Sequence, residues 1–508
     1  MESSSPIVSR SLKTASAKPS RRDFLRSSAK LSLGVGLGLS SLDWLAGCTQ
    51  LADHRITPWD ELAAKLQGSL LRPGMSSFVD LSTPWALQYA STVPQAIAQC
   101  RTEADVQTCI QWAKAHAMPL VARSGGHSYG GYSLTTGLMI NVSALNSFSY
   151  DPNTGLATVG SGARNRTIFT ECKPLNRAIP HGRCYEVGVA GLVLGGGIGF
   201  DMRLHGLTCD ALRETRIVLA DGRVLTCNEN ENTDLFWACR GAGGGNFGIH
   251  TSFTFETFPV STVTTFNLVW TDRIVDTFAA IQSMTQSAPN VLGIKVSITA
   301  QKQAGASVLS LTILGHFVGS EADFRSLIAP ILAVQKPAEQ TIQVLPYWDG
   351  QQTISEEGKP EYAHERSRFV NGQLPDEAIQ LIISQLKNWP GTSKAATWKY
   401  FLLGGQIDAQ SPTDTAFVHR GYSMLSSTEL EWTPADDAAT LAKNEKWLSD
   451  FHNQMEAYTS PYCYQNFIDP SQDGYLQAYY GSNLPQLRAI KRKYDPENLF
   501  NYPQSIPV

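Results

Sequence analysis

The chain has 508 residues, 42% of them apolar and 17% charged, so it can bury a sizeable core and is not an intrinsically disordered chain. At about 100–200 residues per domain, this length predicts two or three domains. A formal net charge of −4 excludes a generally basic nucleic-acid binder, and 41 glycines with 26 prolines exclude collagen-like or linker-like sequences.

The first 48 residues read as an address rather than as structure. Ser20-Arg21-Arg22-Asp23-Phe24-Leu25 is a twin-arginine pattern, followed by a Gly/Leu/Ser stretch from Leu31 to Leu42. Leu45-Ala46-Gly47-Cys48 resembles a lipoprotein cleavage box with Cys48 as the lipidated residue, a plain peptidase cut nearby being the alternative. No apolar run of about 20 residues follows, so contact with a membrane is expected only through a lipid at Cys48. The twin-arginine route carries folded proteins, commonly with a cofactor already in place. The expected location is therefore periplasmic or extracellular, and a cofactor is expected inside.

Residues 49–85 have no clear pattern. From Thr102 a helix is predicted: Thr102 and Asp105 make a capping-box-like start, with Val106, Cys109, Ile110 and Ala113 on one face. Pro119–Arg123 is a short buried strand, and Leu138–Val142, Ala157–Val159 and Arg216–Ala220 continue the strands. Asp221-Gly222 turns the last of these into Val224–Cys227. Ile249–Phe258 alternates like a half-buried strand. Beyond residue 260 the glycines thin out. Strand-like runs (Phe266–Trp270, Val308–Leu314) alternate with helical ones (Asp323–Val334, Asp376–Lys387), as in a sheet covered by helices. Helical spacing returns at Trp447, Leu448, Phe451 and Met455.

Glycine is concentrated in three segments: Arg123–Tyr132, His181–Gly199 and Asp234–Gly248. Glycine lets main chain approach a ligand, and successive inward N–H groups form a nest for phosphate. Three such loops imply an extended ligand carrying a diphosphate. Gly243-Gly-Gly245-Asn-Phe-Gly248 matches G-x-G-x-x-G, but it opens a strand instead of a helix, so a Rossmann site for NAD is rejected. There is no P-loop, no H-E-x-x-H and no close cysteine pair, so no metal site is expected.

Arg-Ser-Gly-Gly-His-Ser at residues 123–128, the cysteine loop around Cys184, the Asp234–Gly248 segment and the ending from Tyr464-Gln-Asn466 to Pro507 resemble the berberine-bridge-enzyme-like flavoproteins of the vanillyl-alcohol-oxidase superfamily. The resemblance covers roughly residues 85–508. It implies an α+β fold, with a two-part PCMH-type FAD-binding domain (85–259, completed by 456–508). Between these parts it implies a substrate domain of antiparallel sheet covered by helices (260–455). Carried over, Arg123, Ser124, Gly125, Gly126, His127 and Ser128 cradle the diphosphate, and Val187, Gly188, Gly191, Gly195, Gly197, Gly199 and Asn466 line the cofactor. His127 and Cys184 match the residues that bond to the flavin at C8α and C6, making FAD bicovalent. Tyr464 matches the catalytic base of the family's carbohydrate and alcohol oxidases, and Glu429 is the backup base. Val187, a small residue three positions after the cysteine, favours access of O2.

These expectations converge on an exported FAD-dependent oxidase that takes hydride from an alcohol, a sugar or glycosylated metabolite, and reduces O2 to hydrogen peroxide. A dehydrogenase with another acceptor and a non-catalytic surface lipoprotein with a flavin fold are the alternatives. Nucleic acid is not an expected partner.

Overall fold

The computed structural model describes residues 58–508; the twin-arginine stretch and Cys48 lie outside the described residues. The capping box at Thr102 forms in both directions. Its hydroxyl accepts from the Asp105 N–H and the Asp105 carboxylate accepts from the Thr102 N–H, so helix Glu103–Ala115 starts where its sequence says. The Asp105 carboxylate also takes the N–H groups of Gln67, Gly68 and Arg101, tying the helix to the chain before it.

This helix packs on a small sheet of β1 (Ser69–Leu71), β2 (Ala96–Gln99), β3 (Leu120–Arg123) and β4 (Leu138–Asn141), in the order β1-β2-β4-β3. β2 and β3 both run parallel to β4. A second, antiparallel sheet joins β5 (Phe148–Asp151), β6 (Leu156–Gly160), β8 (Leu212–Val218), β9 (Val224–Asn228) and β10 (Ile249–Glu256), in the order β5-β6-β10-β8-β9. A short pair of β7 (Arg177–Ala178) and β11 (Phe258–Pro259) lies apart from both. The third glycine segment leads into β10, a strand, so the dinucleotide motif is absent here as the sequence implies.

Residues 262–432 build one antiparallel sheet of seven strands: β12 (Thr262–Trp270), β13 (Leu292–Gln303), β14 (Ala306–Phe317), β15 (Glu339–Pro346), β16 (Tyr362–Val370), β17 (Ala396–Leu402) and β18 (Met424–Trp432). Their order is β15-β12-β14-β13-β17-β18-β16. Alternation gives the sheet two different faces. Val296, Ile298, Leu311, Ile313, Trp398, Tyr400 and Leu430 pack under helices Ile274–Gln286, Glu321–Val334, Asp376–Lys387 and Ala438–Gln454. The opposite face carries Lys295, Ser297, Thr299, Thr397, Lys399 and Phe401 and looks toward the glycine loops. The result is a mixed α+β fold.

The C-terminal segment returns to those loops. Asn246 takes the Ile506 N–H on its side-chain oxygen, and its carbonyl accepts from the fully buried Lys491 ammonium, which also holds Asp495 and the Phe500 carbonyl.

Candidate active site

A single cavity touches all three glycine segments, the C-terminal segment and the polar face of the seven-stranded sheet. Ser124, Gly125, Gly126, His127 and Ser128 line it. Its position follows from the end of β3, after which the chain turns across the edge of the small sheet. The Ser124 hydroxyl donates to the Ser161 carbonyl at 2.7 Å, and a Cβ on Gly125 would fall 2.4 Å from the Gly188 nitrogen. The first and second loops are therefore in backbone contact. Val187, Gly188 and Gly191 also line the cavity, as do Gly243, Gly244 and Gly245 of the third loop.

His127 and Cys184 come together although they lie on different loops. A polar segment of the middle domain, residues 355–361, reaches over both. The Gly358 carbonyl lies 3.2 Å from His127 Nε2, and the Glu356 carboxylate lies 3.5 Å from Cys184 Sγ. At Gly358 an added Cβ would sit 3.1 Å from His127 Nε2 and 3.4 Å from the Cys184 Cβ, so the two side chains flank one point. Gly358 has φ +70°, a conformation that any side chain would strain. A carbonyl can only accept, so His127 Nε2 carries the proton and Nδ1 keeps its lone pair. Burial lowers the imidazole pKa to about 4, which keeps the ring neutral and nucleophilic. Trp85 stacks against it, with ring centroids 4.8 Å apart.

Burial pushes the Cys184 thiol up to about 12, with Arg183 pulling it down and Glu356 raising it. For Glu356 burial is outweighed by Arg183 and Lys295, which hold its carboxyl well below the ordinary range.

Tyr464 lines the same cavity and is otherwise buried, 1% exposed. Its hydroxyl oxygen accepts from the Gly197 N–H at 3.0 Å and from the Asn466 amide at 3.1 Å. Burial raises this phenol, and those two donors counter the rise. Asn466, also in the wall, is held by the Leu192 carbonyl at 3.0 Å. Lys399 projects from β17 into the cavity wall, its ammonium 2.7 Å from Glu429 and 3.1 Å from Glu365.

Several expected residues lie elsewhere. Arg123 does not cradle a diphosphate with its side chain: the guanidinium turns away and donates to the Ser82 and Thr83 carbonyls, fixing the loop from behind. Gly195, Gly197 and Gly199 do not line the cavity. Their missing side chains make room for the protein itself, because added Cβ atoms would fall 2.1 Å from Asn466 Oδ1, 2.4 Å from the Thr208 hydroxyl and 1.9 Å from the His181 carbonyl. Glu429, the expected backup base, is not among the residues that line the cavity. It is engaged by Lys399, and its carboxylate lies within 4.8 Å of those of Glu361 and Glu431.

Lys399, Glu356 and Gly358 stand at the site, in the cavity wall or against His127 and Cys184, and pattern reading missed them. Strand alternation through β17 is the signal that could have placed Lys399; nothing local marks the segment 355–361.

The lining fits the group that the glycine loops imply. Beside Gly191 there is open space, and beside Gly243, Gly244 and Gly245 nothing comes nearer than 3.6 Å to an added Cβ, so the second and third loops leave a slot for a ligand.

Known proteins agree. Residues 94–228 match the model of an FAD binding domain, and residues 463–507 match "Berberine and berberine like". The chain is 31% identical to the chitooligosaccharide oxidase of Gibberella zeae over 81% of its own length and 87% of that protein. Its fold is similar to that of Physcomitrella patens BBE-like 1, with TM-score 0.81 and 30% identity over 89% of this chain and 99% of the other. It is also similar to a glucooligosaccharide oxidase from Acremonium strictum described with a 6-S-cysteinyl, 8α-N1-histidyl FAD. That similarity has TM-score 0.79 and 27% identity over 89% of this chain and 99% of the other.

Proposed function

The chain belongs to the berberine-bridge-enzyme-like FAD-linked oxidoreductases, and from that membership we propose that it is a bicovalently flavinylated oxidase of sugar CH–OH groups. The observation that carries the reading is the meeting of His127 and Cys184 at Gly358, in the cavity that also holds the Tyr464 hydroxyl. When bound, FAD supplies the hydride acceptor. His127, through its bare Nδ1, and Cys184, through its sulfur, would hold the flavin, and the three glycine loops would take its diphosphate.

The protein's own residues handle the substrate proton. Tyr464 accepts the hydroxyl proton as the C–H bond is broken. The Gly197 N–H and the Asn466 amide already point at the phenol oxygen and orient it without reorganising. The Lys399 ammonium in the same wall favours negative charge in the cavity. The polar sheet face, with Ser297, Thr299 and Thr397 beside Lys399, suits a polyhydroxylated substrate, and the named relatives that act on oligosaccharides support the sugar class.

Val187 in the cavity wall supports O2 as the re-oxidant, giving hydrogen peroxide. Export by the twin-arginine route, with a lipid at Cys48, completes the proposal.

The test is a peroxide-coupled screen of mono- and oligosaccharides. One or more sugars should turn over in air and bleach the flavin anaerobically. Flavin released from the denatured protein would sink the covalent part of the reading. Anaerobic bleaching without peroxide in air would make the enzyme a dehydrogenase.

A further inference from the structure

Both residues assigned to hold the flavin take a contact from one stretch of the middle domain. The strap runs alongside the cysteine loop: the Glu356 N–H donates to the Arg183 carbonyl, and its own carbonyl accepts from the Tyr185 N–H. This parallel bridge fixes Glu356 opposite Cys184. The Glu356 side chain folds back so that one carboxylate oxygen takes Arg183 and Lys295 while the other faces Cys184 Sγ at 3.5 Å. Two residues further on, the strap's carbonyl meets His127. One segment thus presents a neutral acceptor to the histidine and a carboxylate to the cysteine.

We propose that Glu356 is the proton acceptor for attachment of Cys184 to the flavin, a role that rests on the bicovalent reading above. The thiol is too weak an acid to ionise beforehand. As its sulfur donates to carbon, however, the S–H proton becomes strongly acidic, and a carboxylate aligned with it takes the proton in the same step. The S–H and C6–H bonds break and the S–C6 bond forms. Glu356 would then pass its proton on, so that the electron pair and both hydrogens would end on the oxidised isoalloxazine, the oxidant, from which dioxygen would remove them as hydrogen peroxide, leaving Glu356 ionised again. Arg183 and Lys295 keep Glu356 ionised and in place, so it is ready before the flavin arrives. His127 needs no such partner, because its Nδ1 is already unprotonated; the two attachments therefore differ in what they ask of the strap.

The experiment is Glu356→Gln, produced as the wild type is, with the flavin-bearing peptides identified by mass spectrometry after proteolysis. Glutamine keeps the size and can still meet Arg183 through its oxygen, but it cannot take the proton. The expected result is a flavin held by His127 in full, with the Cys184-linked fraction lowered about tenfold or more and Cys184 alkylatable as a free thiol after denaturation. Glu356→Asp should restore part of the cysteinyl link. Full attachment at Cys184 in Glu356→Gln overturns the proposal. So does loss of both links in that variant, since a collapsed strap would remove the histidine contact as well. Wild-type protein whose flavin peptides include His127 but never Cys184 would instead show that the bicovalent reading had failed beneath it.

Discussion

Asn466 lies against Gly195 with no room for a side chain: a Cβ at residue 195 would fall 2.1 Å from its Oδ1 and 2.8 Å from its Nδ2. The amide of Asn466 is the one that bonds the Tyr464 hydroxyl and the Leu192 carbonyl. Gly195→Ala should therefore push Asn466 off both partners without touching the cavity directly. The expected outcome is a fall in turnover of about tenfold, from the loss of an oriented hydrogen bond to the base, with little change in flavin content. Steady-state rates and the flavin-to-protein absorbance ratio check it. Gly199→Ala should be harsher, because its Cβ would meet the His181 carbonyl at 1.9 Å and backbone cannot step aside cheaply.

The buried ammonium of Lys399 holds two carboxylates at once, Glu365 at 3.1 Å and Glu429 at 2.7 Å. Burial raises the Glu365 carboxyl, Lys399 pulls it back down and Glu429 adds to the rise. Lys399→Met leaves two facing carboxylates without a counter-charge. Breaking a buried pair by removing one partner costs about 3–5 kcal/mol, less whatever Glu365 recovers by taking up a proton. Adding Glu365→Gln should return a good part of that loss. Denaturant melts of the two single variants and the double variant measure the coupling; equal stability of single and double variants would remove Glu365 from the account.

Local devices of the fold were legible because they close over a few residues. The Thr102–Asp105 box, the Asp221-Gly222 turn and the alternation into β10 each state their geometry within a short window. The ligand loops were legible as a group, but not glycine by glycine. A glycine that clears a slot for a cofactor and one that clears space for Asn466 or Thr208 look alike in sequence, and only the fold separates Gly191 from Gly195. Arg123 misled for the same reason: a cation beside a phosphate-type loop suggests an anion, whereas this one satisfies two carbonyls from behind. The strap was illegible because its meaning lies in contacts 231 and 172 residues away, to His127 and Cys184. Nothing in a polar loop with a proline announces such partners.

His364 joins β16 to the C-terminal segment, with Nδ1 2.7 Å from Glu445 and Nε2 3.0 Å from Asp469. Burial alone would lower its pKa, but the hydrogen bonds to Asp469 and Glu445 outweigh burial and raise it to about 9. The folded value is above the unfolded one of about 6.5, so the folded protein binds the extra proton. Its stabilisation is complete below about pH 6.5 and is lost as the pH rises through about 9. The thermal midpoint should fall across that window, and His364→Gln should flatten the fall. A wild-type profile already flat from pH 6.5 to 9 would contradict the assignment.

Tyr464 is the residue on which the proposed hydride chemistry depends. Burial raises its phenol, while the Gly197 N–H and the Asn466 amide point at the oxygen that would carry the charge. That combination suits a group which stays neutral at rest and shares charge only as the substrate proton arrives. Proton transfer by a positioned side chain contributes about 10²–10⁴-fold. Tyr464→Phe should therefore slow anaerobic flavin reduction by that factor, with flavin still attached to His127 and Cys184 and with substrate binding weakened far less. The remaining hydroxyl-free ring keeps the packing against Phe417 and Phe467, at 6.2 and 5.2 Å between centroids, so the fold should survive. Stopped-flow reduction measured against sugar concentration separates the two effects, because loss of the base lowers the limiting rate whereas loss of a binding contact raises the half-saturating concentration. A variant that reduces its flavin as fast as wild type would move the base elsewhere in the cavity wall, though not to Lys399, whose ammonium Glu365 and Glu429 keep charged.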